Sequence, residues 1–216
     1  MTKKFQKKQC EECEEELDED VDLSNLLPFM LPGMIGQRDI LAENGVVFLS
    51  GVLTETKANL ILKRLWTYHF MEDYIDPVNL IVNGPGGRAD CMWAIVDTMD
   101  SIKNEVHTTA MGEIASAMAM IFFAGTQRKI SENTLCMIHN FIGGEIGNYP
   151  ELVASRKGTD LEYKLMIKHL IHHSKYNTET DIKKYLLKDQ DHWLSASELK
   201  KHGLVDYIFK NKKRKK

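Results

Sequence analysis

The sequence predicts an α/β domain built on a mainly parallel sheet. Three observations carry that expectation. From residue 45 onwards short apolar runs alternate with amphipathic segments, the order that strands joined by crossover helices require. Glycines and helix-capping residues punctuate the junctions between them. No self-similarity recurs at a fixed period, so a repeat architecture is not indicated.

Gly45-Val46-Val47-Phe48-Leu49-Ser50-Gly51 reads as a buried strand bounded by glycines. Thr54 can cap the next segment, in which Ala58, Ile61, Leu62, Leu65 and Trp66 recur at helical spacing. Residues 78–83 form a second strand, and Gly84-Pro85-Gly86-Gly87 reads as a turn that no strand or helix would contain. Residues 90–102 are a helix with Met92, Ile95, Val96 and Met99 on one face. A third strand covers 106–111, and 115–124 reads as a buried helix of small and apolar residues. Lys129-Ile130 and residues 135–138 are expected as a further strand pair. A long polar helix over 149–174 follows, then a shorter one over 179–187. The last unit is a helix over 197–202, Gly203 as its stop, and a strand over 204–208.

The 216 residues are 43% apolar, enough for one domain core. Aromatic content of 8% and five prolines argue against disorder over most of the chain. No apolar run is long enough to span a bilayer, and the lysine-rich then acidic N-terminus is not a signal peptide. Four cysteines are too few for a disulfide scaffold, which fits a reducing, cytoplasmic setting. The formal charge of −3 gives no reason to expect nucleic acid as a partner. That average hides a balance of −5 over residues 1–22, −4 over 23–209 and +6 over 210–216. Both end blocks read as solvated tails. Cys10 and Cys13 form a C-x-x-C without a second ligand pair, so no metal site is expected.

Four local features could carry chemistry. Ser116 lies where a strand gives way to a helix, a place for a nucleophile beside unpaired N–H groups, and equally a common place for a cap. His139 ends an apolar strand, as a general base or a structural histidine would. Asp191 lies between two predicted helices, where a turn carboxylate is also at home. The glycine turn at 84–87 can bring backbone N–H donors to an oxyanion or an extended peptide; the spacing of a phosphate loop is missing.

The order of these features carries more than any one of them. Asn83-Gly84-Pro85-Gly86-Gly87, Gly112 to Ala119, Met137-Ile138-His139, Asp191-His192-Trp193-Leu194-Ser195-Ala196 and Gly203-Leu204-Val205-Asp206 together resemble the proteolytic subunits of the Clp protease family, ClpP, over residues 45–209. The resemblance implies a ClpP/crotonase-like spiral of repeated strand–strand–helix units. Its divisions would be a charged tail and entrance segment over 1–36, a peptidase domain over 37–209 and a basic tail over 210–216. It places the family's catalytic serine, histidine and aspartate on Ser116, His139 and Asp191, and its oxyanion donors on the backbone N–H groups of Gly87 and Ala117. A hydroxyl attacks poorly unless an imidazole takes its proton, and an aspartate holds that imidazole in the right tautomer.

The long helix falls on the family's handle, so a homo-oligomer of stacked rings enclosing the active sites is implied. Unfolded proteins or peptides would be its substrates. An AAA+ chaperone would be its partner, with ATP used only by that ATPase and no cofactor bound here. Alternatives of the same fold are a phage capsid-maturation protease, to which the Ser116-Ala117 and His139-Asn140 pairs are similar, and a non-catalytic ring subunit. Departures from the family pattern are Gln190 in place of an arginine, Asn140-Phe141 after the histidine, and Ile81, Ser101 and Lys129 at three aromatic positions of the chaperone-docking pocket. Ser101 and Lys129 are expected to weaken that pocket.

Overall fold

The computed structural model describes residues 39–72, 75–140 and 146–210. The acidic block, the Cys10–Cys13 pair, the entrance segment, Phe141 and residues 211–216 lie outside them. A short helix, α1 (Ile40–Glu43), leads into β1 (Val46–Leu53). There follow α2 (Glu55–Phe70), β2 (Val78–Gly87), α3 (Ala89–Ser101), β3 (Val106–Ala115), α4 (Ala117–Phe123), β4 (Gln127–Ser131) and β5 (Leu135–Ile138). The chain ends with α5 (Tyr149–His173), α6 (Glu179–Tyr185), β6 (His192–Ser195), α7 (Ala196–Lys201) and β7 (Tyr207–Phe209).

The seven strands form one sheet in the order β1-β2-β3-β4-β7, with β5 joined to β3 and to β6. Every pairing is parallel except β5 with β6, so the fold is α/β with a mostly parallel sheet. Parallel neighbours need crossovers, and α2, α3 and α4 supply them. Thr54 caps α2 by accepting from the Lys57 N–H at 3.3 Å, as its position suggested. All seven residues of α4 are buried. It lies against β2 and β3, with alanines alternating with methionines in its first turn.

Three expectations need correction. The glycine stretch at 84–87 is part of β2, because Gly86 and Gly87 pair with Val52 and Leu53 of β1. Here φ is +109° at Gly86 and +150° at Gly87, backbone that only glycine adopts without strain, so strand and glycine signals coincide. The strands β4 and β5 do not pair with each other; both run parallel to β3. Asp191 does not lie between two helices, since β6 begins at the next residue. A four-residue strand with one polar end carries too little periodicity to be read alone.

The strand β3 is the branch point. Residues 107–110 pair with β4, whereas 113–115 pair with β5. Between them Gly112 adopts φ +82° and the register against β2 jumps from Val82↔Ala110 to Gly84↔Ile114. The two extra residues on β3 turn it out of one sheet neighbourhood into another, as bulges do.

Only the last turns of α5 are packed: Met166, Ile167, His169 and Leu170 are buried. Earlier apolar residues stay open, with Val153 at 52% and Leu161 at 53% exposure. His169 donates from Nε2 to the Met120 carbonyl at 2.9 Å and lies edge-on to Trp93. Arg128 ties the base of α5 to the sheet, forking onto Asp206 at 2.8 and 3.0 Å and donating to the His173 carbonyl at 2.7 Å.

Burial pushes His169 down to about 4, and burial with the neighbouring His169, His172 and Arg128 charges pushes His173 down to about 3. Both values lie below an unfolded histidine near 6.5, so the unfolded chain takes up protons first. The stabilisation is therefore complete above roughly pH 6.5 and is lost as the pH falls towards 4 and 3. Urea midpoints should drop across that window. In a His169→Gln, His173→Gln variant the pH slope should be shallower.

Candidate active site

The site is assembled by strand register. In the parallel β3–β5 ladder Ala115 lies opposite Met137, and the Ser116 N–H donates to the Met137 carbonyl at 2.9 Å. In the antiparallel β5–β6 ladder Ile138 lies opposite His192. Continued past their last pairs, these registers put Ser116 level with Ile138, and His139, one residue further on, level with Asp191. Three residues that span 75 positions of the chain thus lie at the same end of three adjacent strands, neighbouring strands being about 4.8 Å apart.

Ser116 occupies the junction between β3 and α4 with φ +53° and ψ −122°, and it is the one non-glycine residue with positive φ among the described residues. Its hydroxyl makes no capping hydrogen bond, which removes the simplest structural reason for a serine there. A side chain held in such a conformation is lifted out of the strand and presented at the sheet end. Ala117 is the first residue of α4, so its N–H has no acceptor within the helix.

The glycines of β2 meet this junction directly. A Cβ on Gly86 would lie 2.7 Å from the Ser116 Cβ and 2.9 Å from the Ala115 carbonyl oxygen. The N–H of Gly87 belongs to the peptide that joins it to Gly86, so it lies beside the residue that touches Ser116. A Cβ on Gly87 would instead collide with the backbone of Leu53 in β1. Asn83 braces the approach: its Oδ1 accepts from the Glu113 N–H at 3.2 Å and lies against Gly112. The sequence reading gave Asn83 no role. A polar residue closing an apolar strand before a glycine run was the available signal.

His139 is half-buried, and its Nδ1 is buried without a hydrogen-bond partner among the described residues. Asp191 is exposed. Among the described residues no hydrogen bond links Ser116 to His139 or His139 to Asp191. The loop that carries Asp191 is pinned from two sides. Asn140 donates to the Lys188 carbonyl at 2.9 Å, and His192 Nδ1 donates to the Leu186 carbonyl at 2.8 Å. Asn140, in sequence a departure from the family pattern and part of the pair similar to capsid-maturation proteases, is thus the residue that ties the histidine strand to the aspartate loop. Cys136, two residues before Ile138 on β5, is fully buried, and burial pushes its thiol far above the ordinary range, so it is no competing nucleophile.

A separate cleft of about 630 Å³ lies on the sheet face and contains none of these residues. Ile81 and Lys129 do line it, but Met111, Tyr207 and Phe209 keep it apolar. Ser101 does not line it; its hydroxyl donates to the Asp97 carbonyl at 2.6 Å.

Gly86→Ala should destabilise the fold, by about 1–3 kcal/mol for the strained backbone alone, with the Ser116 clash added. Gly158→Ala in α5 is the control: a Cβ there meets nothing within 4 Å. It should raise stability by about 0.5–1 kcal/mol. Thermal melts of both variants check the contrast.

Residues 34–212 match the family model described as Clp protease. The ATP-dependent Clp protease proteolytic subunit 2 of Prochlorococcus marinus (strain MIT 9313) is 32% identical over 195 residues, covering 84% of this chain and 93% of that one. The subunit of the same name from Corynebacterium jeikeium (strain K411) is 31% identical over 176 residues, covering 80% and 82%. A third, from Prochlorococcus marinus subsp. pastoris, is 31% identical over 195 residues, covering 84% and 92%. With most of its length and its site strands inside that match, the chain belongs to the Clp protease family.

Proposed function

We propose that this chain is a serine endopeptidase in which Ser116 is the nucleophile, His139 the general base and Asp191 its orienting partner. The carrying observation is the common strand end that the β3–β5 and β5–β6 registers give these three residues. His139 takes the hydroxyl proton as Ser116 attacks and returns it to the leaving amine. Asp191 accepts from Nδ1 of His139, the buried nitrogen that otherwise has no partner. That contact closes when the exposed carboxylate turns inward, since catalytic hydrogen bonds tighten on substrate binding. The N–H groups of Gly87 and Ala117 hold the oxyanion; each such donor is worth about 10² to 10³ in rate elsewhere.

The glycine end of β2 also accounts for substrate shape. Its last pairing with β3 is Gly84↔Ile114, while β1 still covers its other edge up to Gly87. The edge over 85–87 is therefore open beside Ser116, and an extended peptide can add to it as a strand. Unfolded chains present such a segment more readily than folded proteins do.

The outer part of α5 supports assembly into stacked rings. Its Leu152, Val153, Leu161 and Leu165 stay about half-exposed among the described residues. The apolar cleft beside Lys129 is the docking place for an ATPase partner, with cationic character where the family has an aromatic.

Ser116→Ala should abolish both peptide cleavage and labelling by a fluorophosphonate; labelling that persists removes Ser116 from the mechanism. Native mass spectrometry should show a multimer of stacked rings. Leu161→Glu with Leu165→Glu should halve its mass, and a stable wild-type monomer would overturn the enclosed chamber.

A further inference from the structure

We infer that Arg88 is a specificity residue of this site, selecting peptides that carry an acidic side chain two residues from the scissile bond. The inference rests on the peptidase reading of Ser116 and names the substrate class that the same site prefers. Arg88 directly follows the Gly86–Gly87 pair. Its N–H donates to the Leu53 carbonyl at 3.2 Å, which continues the pairing with β1 and keeps residue 88 in the line of β2. Gly86 touches Ser116, and two residues of strand advance the chain by about 7 Å, the reach of one arginine side chain.

The guanidinium is not consumed by the fold. Arg88 stands at the N-terminal boundary of α3 without capping it, and its side chain is 56% exposed. Its partner is Asp90, on which it forks at 2.6 and 3.1 Å. Asp90 is itself 63% exposed, so the pair is a surface pair that solvent already weakens. A fork of this kind orients the planar guanidinium at little energetic cost to exchange. A carboxylate on an incoming peptide offers the same bidentate geometry.

The open edge of β2 decides which substrate position is read. A strand added beside 85–87 places one residue opposite Gly86, next to Ser116, and the residue two further on beside Arg88. Cross-strand neighbours of opposite charge attract, and like charges repel. Glutamate or aspartate at that position is favoured, a neutral residue is intermediate, and lysine is disfavoured.

The test uses the full-length protein and two sets of three fluorogenic peptides, one set for each side of the scissile bond; within a set the peptides differ at one position, Glu, Gln or Lys, two residues from that bond. The readout is the ratio of kcat/KM values. Wild type against Arg88→Gln should show a two- to fivefold fall in the Glu/Gln ratio, carried mainly by KM, as expected for an exposed ion pair. Arg88→Lys should keep most of the preference, and Arg88→Glu should shift it towards the Lys peptide. Raising the salt to about 1 M, where screening acts within about 3 Å, should shrink the wild-type preference. The acidic N-terminal block is common to all variants and cancels in the comparison. A ratio that is the same in wild type and Arg88→Gln, with all peptides cleaved, overturns the role of Arg88 and leaves the peptidase reading standing. Cleavage of none of the peptides by wild type overturns both.

Discussion

The bulge at Gly112 is the constraint on which the site depends. A regular strand keeps the same neighbour along its whole length, and β3 does not. Its first half belongs to β4 and its second to β5. Only the second allegiance puts Ser116 beside the strand that ends in His139. The left-handed φ of Gly112 and the Asn83 side chain packed against it make that change of neighbour affordable. The same divergence ends the pairing of β2 with β3 at Gly84 while β1 stays paired up to Gly87, so one irregularity both positions Ser116 and frees one edge of β2.

Packing then fixes what the bulge has aimed. Helix α4 is too short to be stable alone, and it exists because every residue in it is buried. With α4 immobile against β2 and β3, the strained backbone at Ser116 cannot relax into an ordinary cap. Close approach of Gly86 removes the remaining space. The aspartate side is held differently, by two hydrogen bonds onto loop carbonyls at Leu186 and Lys188. Ser116 is therefore set by core packing, and the loop that carries Asp191 by surface polar contacts. Asp191 keeps a freedom that Ser116 lacks.

Much of the fold was legible in local pattern. Strand β1, the cap at Thr54, the buried character of α4 and the extent of α5 all follow from residues that are neighbours in the chain. What the pattern misjudged was non-local. Gly84 to Gly87 read as a turn because glycine weakens a strand in isolation; pairing with β1 overrides that preference. Strand β6 was invisible because its four residues are strands only by virtue of β5. Asn83 and Asn140 looked like polar punctuation, and their roles appear only once Gly112 and Lys188 are beside them.

By itself, then, the sequence determined the α/β class, the order of the elements other than α1 and β6, and the residue types at Ser116, His139 and Asp191. Those follow from periodicity, capping and short-range chemistry, which act over a few residues. Tertiary structure decided that β3 divides between two partners, that three distant residues share one strand end, and that only the last turns of α5 pack on its own domain. These depend on register between strands far apart in the chain. Register is chosen by the burial of whole faces rather than by any local run of residues.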